Sequence, residues 1–369
     1  MKIGIDANEA NHNVRVGVGQ YAFNIIWELY RQDKKNTYHL YLKQPPLSDM
    51  PPQSDNWQYH VFGPQKLWTF IALPFRLFTQ SIKLDLFWSP SHYSPRFSPV
   101  STIPTIHDLG YLEAQDQFNS KDIYQLINWT KRSIFGAHQI VAVSEFTKNE
   151  INRIYKISPD KITVVPNGVG DIPVNTDKDF AKVKTKFGIT KPYFLYLGTL
   201  KPNKNIPFLI NAFADFLKLQ KSKDPQFQLV IAGKKGWQYD TIFSHVTANH
   251  LEKSVIFTDY ISELEKWTLY KNAIASVLPS TYEGFGIPAI ESQKSKVPVI
   301  ASNIPAYREV LEDSAIIIDP ANTSSLTQAL IDIQSPVLRK KLIALGSAKA
   351  NHYTWANSAK MLINTFNKV

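Results

Sequence analysis

Runs of four to six apolar residues alternate with amphipathic stretches along almost the whole chain, and no other feature restricts its fold as much. Such alternation is expected where parallel strands, buried on both faces, are covered by helices. In the first half the candidate strands are Ile3–Asp6, Tyr38–Leu42, Leu84–Trp88, Pro104–His107, Ile140–Ser144 and Ile162–Val165. In the second half they are Tyr193–Gly198, Gln228–Ala232, Val255–Thr258, Ala273–Leu278, Val299–Ser302 and Ala315–Ile318. Two sets of six predict an α/β chain with two doubly wound domains. The seam is expected near residue 170, where Val164–Gly170 is followed by the polar, turn-prone run from Asp171 to Asp179.

A chain of 369 residues is long enough for two such cores. Its formal charge is +10, with 17 basic against 14 acidic residues up to Gly170 and 24 against 17 beyond it, so the excess lies mainly in the second half. That excess admits an anionic partner. No five Lys or Arg residues are consecutive, and the interleaved charge reads as a solvated surface, so no nucleic-acid partner is expected. The absence of cysteine excludes disulfides, thiolate metal sites and cysteine nucleophiles. A strand-like N-terminus without a secretion-signal layout, and no apolar run of about 18 residues, predict a cytoplasmic chain that does not cross a membrane. The segment Gln65–Lys83 mixes Trp68, Phe70, Phe75 and Phe78 with Lys66, Arg76 and Lys83. It reads first as a buried helix interrupted at Pro74, and second as a helix lying on an anionic membrane.

Chemistry concentrates in S-T-Y-E-G-F-G-I-P-A-I-E, Ser280 to Glu291. Here a strand is followed by a loop and a helix with Pro288 in its first turn, at the strand end where open α/β sheets bind ligands. Gly284 and Gly286 let the backbone approach closely, and the N–H groups of Phe285, Gly286 and Ile287 are placed to meet an anion. A phosphate flanked by hydroxyl-rich groups explains the two carboxylates as one sugar per glutamate, Glu283 and Glu291. The plainer reading makes Glu291 a complement to the helix dipole and Glu283 a solvated loop residue.

A second strand–loop–helix, Gly198–Asn205, carries Thr199, Lys201 and Lys204, and both lysines are candidates for neutralising a departing diphosphate. Gly17 and Gly19 offer a backbone surface ahead of a helix. His107 closes a strand and points either at a ligand or into the core, where a backbone carbonyl would satisfy it. No serine-hydrolase, P-loop or zinc-protease motif is present. Asp177-Lys178-Asp179 lies in the expected linker and reads as solvated charge, so no metal site is expected.

Together these motifs resemble the retaining glycosyltransferases of family 4, with the GT-B arrangement of two Rossmann-like domains facing across a cleft. The similarity runs through R-V-G-V-G-Q-Y, T-I-H-D-L-G-Y-L, V-A-V-S-E-F-T-K, V-V-P-N-G-V, G-T-L-K-P-N-K-N, the Ser280–Glu291 motif and Trp355. It implies an acceptor-side domain over 1–170, a nucleotide-sugar domain over 171–352, and a C-terminal helix over 353–369 that packs back on the first. It also implies that Glu291 binds the nucleotide ribose and Glu283 the transferred sugar. Phe285, Gly286, Ile287 and Lys204 would hold the diphosphate, His107 would reach the donor sugar, and Gly17 would close on the phosphates.

The H-D-L element is similar to mannosyltransferases that build bacterial surface polysaccharides. A hexose transfer from GDP-mannose to a glycan or lipid-linked acceptor is therefore expected, without cofactor or metal, at the inner face of the plasma membrane. A UDP-hexose donor, carrying glucose or an N-acetylhexosamine, is the alternative; a sugar-nucleotide epimerase or hydrolase and a silent assembly adaptor are more distant ones. The chain departs from the family at Asn203, where an arginine is usual, at Asp259, where a glycine is usual, and in S-Q-K-S-K after Glu291.

Overall fold

The computed structural model describes residues 1–113, 115, 120–220, 226–236 and 239–369. The chain divides into two compact units, Met1–Gly170 together with Tyr353–Val369, and Asp171–His352. The first holds a seven-stranded parallel sheet of β1 (Lys2–Asp6), β2 (Thr37–Leu42), β3 (Trp57–Val61), β4 (Leu86–Ser89), β5 (Ser101–Ile106), β6 (Ile140–Ala142) and β7 (Ile162–Val164), in the order β3-β2-β1-β4-β5-β6-β7. The second holds a six-stranded parallel sheet of β8 (Tyr193–Leu197), β9 (Gln228–Ala232), β10 (Val255–Asp259), β11 (Ser276–Leu278), β12 (Val299–Ser302) and β13 (Ala315–Ile318), in the order β10-β9-β8-β11-β12-β13. Both orders are Rossmann-like. Each reverses direction once, between β1 and β4 and between β8 and β11, and loops following those strands border the crevice where such sheets take ligands.

The central strands are buried on both faces. Ile5 pairs with Leu40 on one side and Trp88 on the other, all fully buried. In the second unit Phe194, Ile231, Val277 and Ile300 pack against Leu209, Ile210 and Phe213 of the helix Ile206–Leu219 and against Leu326 and Leu330 of the helix Thr323–Asp332. This explains why the strands read as continuous apolar runs rather than alternating ones. The helix Trp355–Phe366 packs on the helix Val18–Gln32 of the first unit: Trp355 meets Tyr21 edge-on at 6.0 Å, and Gln32 donates to the Ala356 carbonyl at 3.2 Å.

Four expectations need correction. The first sheet has seven strands rather than six, because β3 is an edge strand whose W-Q-Y-H-V sequence, half open to solvent, has no apolar run. Strand ends move by up to three residues, as where Ala273–Leu278 shortens to β11. Asp177-Lys178-Asp179 is not linker but the first turn of the helix Asp177–Phe187, where Asp179 and Thr176 form a reciprocal capping box. The segment Gln65–Lys83 is not a buried helix. A turn of π-helix, Trp68–Ala72, runs into the α-helix Leu73–Thr79, which Pro74 opens rather than interrupts, and one face of it is exposed.

Asp6, at the end of β1, is buried, with Asn8 donating to it from backbone and side chain. Burial raises its pKa from the ordinary 3.8 to about 6, the two hydrogen bonds opposing it. The folded state thus holds this proton more tightly than the unfolded chain does, and stability falls as pH rises from about 4 to about 6. Asp6→Asn is expected to stabilise the chain by about 3 kcal/mol at neutral pH and by far less at pH near 4. Melting curves at the two pH values test this; equal shifts at both would show that the charge is not the cause.

Candidate active site

In the second unit the loops following β8 and β11 are tied together. Thr281 donates its backbone N–H to the Asn203 carbonyl at 2.9 Å, and Asn203 Nδ2 donates to the Tyr282 carbonyl at 3.2 Å. Asn203 therefore acts as a brace between the two loops, which accounts for an amide at this position. The bracing brings Lys204, which ends the turn Pro202–Lys204, onto Glu283, where its Nζ donates to Oε1.

Two further donors converge on that oxygen: Ser280 Oγ at 2.8 Å and the Tyr307 hydroxyl at 3.2 Å. Among the described residues none donates to Oε2, so Glu283 is oriented through one oxygen and presents the other. The Tyr307 phenol is pushed far up by burial and by the Glu283 charge, and stays a donor at any working pH. Gly286 makes this possible. Its φ of 94° suits glycine, and a β-carbon there would lie 2.4 Å from the Tyr307 ring. Phe285 is buried beside it, Gly284 is buried before it, and Ile287 opens the helix Ile287–Lys294 with Pro288 in its first turn.

Glu291 lies one turn inside that helix, buried, and is no mere dipole complement. Lys266 Nζ donates to Oε1 at 2.8 Å and the Tyr270 hydroxyl to Oε2 at 3.2 Å, both from the helix Glu263–Asn272. Burial works against the Lys266 charge, but Glu291 and Glu263 outweigh it and hold its pKa above the ordinary lysine value. Lys266 and Tyr270 stand four residues apart on one helix face, and Tyr307 comes from the helix Pro305–Leu311. No motif pointed to these three, because their partners lie on other elements. Thr199 accepts from the Tyr196 hydroxyl through its carbonyl at 3.3 Å, and Lys201 precedes the Pro202–Lys204 turn. Of two cavities, the first, of 660 Å³, contains none of the sequence-predicted residues, and the second, of 470 Å³, is lined by Lys201, Pro202 and Asn205 of the loop after β8 but by neither glutamate.

In the first unit His107 follows β5 directly. Its Nε2 lies 2.9 Å from the Pro90 carbonyl, and its backbone N–H donates to His92 Nε2 at 3.1 Å. The His92 ring lies nearly parallel at 5.8 Å and the Tyr21 ring edge-on at 4.9 Å. Burial, aided by His92, lowers the His107 pKa to about 4, so the ring is neutral at physiological pH. A carbonyl only accepts, so the proton sits on Nε2 and Nδ1 keeps a lone pair. His107 is thus anchored as a core histidine would be, and yet retains one acceptor; it is no proton donor at neutral pH.

Gly17, at φ 48°, caps the helix Val18–Gln32 with open space before its α-carbon. Gly19 sits so close to the Glu9 carbonyl that a β-carbon would meet it at 3.0 Å. Among the described residues no group of three or more His, Asp or Glu could hold a metal ion.

Two family descriptions match in tandem, "Glycosyltransferase Family 4" over residues 17–171 and "Glycosyl transferases group 1" over residues 177–344. O-antigen chain mannosyltransferase B of Escherichia coli is 26% identical over 76% of this chain and 74% of its own length. O-antigen chain mannosyltransferase RfbU of Salmonella typhimurium is 31% identical over 62% of this chain and 60% of its own. Among solved structures, sucrose-phosphate synthase from Thermosynechococcus elongatus superposes with a TM-score of 0.77 at 18% identity, covering 100% of this chain and 98% of that one. Alr3699/HepE from Anabaena, solved with UDP and glucose, gives 0.76 at 15%, covering 100% and 99%. With both sheets, both glutamate-bearing elements and both family descriptions in register along one chain, this protein belongs to the family 4 glycosyltransferases of GT-B fold and is similar to their mannosyltransferase members.

Proposed function

We propose that this glycosyltransferase moves mannose from GDP-mannose, with retention of anomeric configuration and without a metal, to a glycan or lipid-linked acceptor of a surface polysaccharide. The observation that carries the reading is Glu283, held on one oxygen by Lys204, Ser280 and Tyr307, with no donor to its second oxygen among the described residues. A carboxylate fixed in this way is suited to receive sugar hydroxyls rather than to act as an acid. Glu291, braced by Lys266 and Tyr270, takes the ribose hydroxyls. Lys204, assisted by Lys201 and by the amides of Phe285, Gly286 and Ile287, offsets the charge that grows on the diphosphate. That leaving group accepts the acceptor's proton as substitution proceeds on one face of the sugar.

Mannose as the sugar is supported by the similarity to the two O-antigen chain mannosyltransferases. A panel of nucleotide sugars tested for thermal stabilisation in EDTA discriminates. GDP-mannose at 100 times its dissociation constant adds about 2.7 kcal/mol. A larger shift from a UDP-hexose would move the reading to that donor, a shift that needs a divalent cation would remove the metal-free step, and no shift from any donor would overturn the assignment of the site.

A further inference from the structure

The segment from Leu67 to Phe78 is apolar on two sides. Trp68, Ala72, Leu73 and Leu77 point inward and pack with Tyr41, Leu84 and Phe87. Leu67, Ile71, Phe75 and Phe78, spaced by four, four and three residues, stand 54%, 56%, 70% and 61% exposed. Spacing of three and four residues places Ile71, Phe75 and Phe78 in one row along the helical stretch, and Leu67 stands just ahead of it. Isolated exposed apolar residues are ordinary, but a group of four, two of them phenylalanine, is not.

Along the segment itself the charge has one sign. Between Asp55 and Asp85 there is no acidic residue, while Lys66, Arg76 and Lys83 all fall within that span. Lys66 and Lys83 are exposed and Arg76 is half-buried. Among the described residues none of the three forms an ion pair, although carboxylates pair with basic side chains at ten places elsewhere. Arg76 lies over the Phe62 ring at 5.9 Å, and its Nε is buried without a hydrogen-bond partner. The row itself offers no donor or acceptor that would specify a protein partner. An apolar row on a segment that carries three cations and no carboxylate is complementary to acyl chains beneath anionic headgroups. No helix among the described residues is long and apolar enough to cross a membrane, so the contact would be superficial.

We infer that the face formed by Leu67, Ile71, Phe75 and Phe78 is a docking surface for an anionic lipid bilayer, with Lys66, Arg76 and Lys83 engaging the headgroups. The test needs no donor and no activity, so it stands or falls apart from the reading of the glutamate site. Purified chain is sedimented with phosphatidylglycerol-containing vesicles and with pure phosphatidylcholine vesicles, at low and high salt. The wild type is expected to pellet with the anionic vesicles and to be released by salt. Phe75→Ser/Phe78→Ser, and separately Lys66→Glu/Lys83→Glu, are each expected to weaken partition at least about tenfold. Both pairs are surface changes, and unchanged melting temperatures show that the fold survives. No sedimentation of the wild type, equal partition of either double variant, or indifference to headgroup charge overturns the inference. So does a concentration-dependent dimer that the phenylalanine variant abolishes in the absence of vesicle binding.

Discussion

Lys204→Ala is expected to lower turnover at saturating donor by about 100-fold or more, the effect of removing one stabiliser worth about 3 kcal/mol from a developing anion. The physical argument rests on position. The Lys204 side chain is largely enclosed, with 19% exposed, beside a Glu283 with 16% exposed, and water screens such a cation far less than a surface lysine. Ser280 and Tyr307 still orient the Glu283 carboxylate in the variant, so donor affinity is expected to change less than turnover does. Steady-state kinetics give the two numbers separately: an interaction made chiefly in the transition state lowers kcat and kcat/KM together. Near wild-type turnover at saturating donor would falsify the role given to Lys204. A rise in KM alone would make it a ground-state contact instead.

Glu291→Gln is expected to behave in the opposite way, raising the donor KM by roughly 10- to 100-fold while kcat changes only a few-fold. Hydrogen bonds to a charged group are worth about 1.5–3 kcal/mol, and a ribose gripped equally in ground and transition states contributes only uniform binding. The glutamine also strips Lys266 of one of its two carboxylate partners, leaving Glu263 alone to hold the ammonium. Lys266→Arg separates the two effects, because it keeps a cation next to Glu291. If the arginine variant retains donor affinity and Glu291→Gln does not, the carboxylate itself is the ligand-binding group. Were Glu291→Gln to bind donor as the wild type does, the ribose assignment would fail, and Glu291 would be left with only its contacts to Lys266 and Tyr270.

Twelve of the thirteen strands announced themselves as apolar runs, and the central ones, buried on both faces, have little freedom to be anything else. The thirteenth, β3, was silent because its W-Q-Y-H-V sequence has no apolar run, whereas the other edge strands, β7, β10 and β13, keep theirs. The loop bearing Gly284 and Gly286 was legible for a similar reason: a strand, a glycine turn and a proline in the first helical turn are local events with local signatures. Asp177–Asp179 misled because a capping box and a solvated acidic loop have the same composition and differ only in whether a helix follows. The Gln65–Lys83 segment misled because hydrophobicity on more than one side of a helix does not say which side the rest of the sheet will cover.

By itself the sequence determined the two doubly wound domains, the position of both glutamates around a glycine turn, and the presence of lysines in a neighbouring loop. These follow from short-range patterns of burial and backbone freedom. The tertiary structure alone decided that Lys204, Ser280 and Tyr307 share one oxygen of Glu283, that Lys266 and Tyr270 brace Glu291, and that His107 spends its Nε2 proton on Pro90. Apart from Ser280, those partners come from other secondary-structure elements or other loops, brought together by the order of strands in the sheets. A hydrogen bond across such a distance in the chain leaves no periodicity for the sequence to carry.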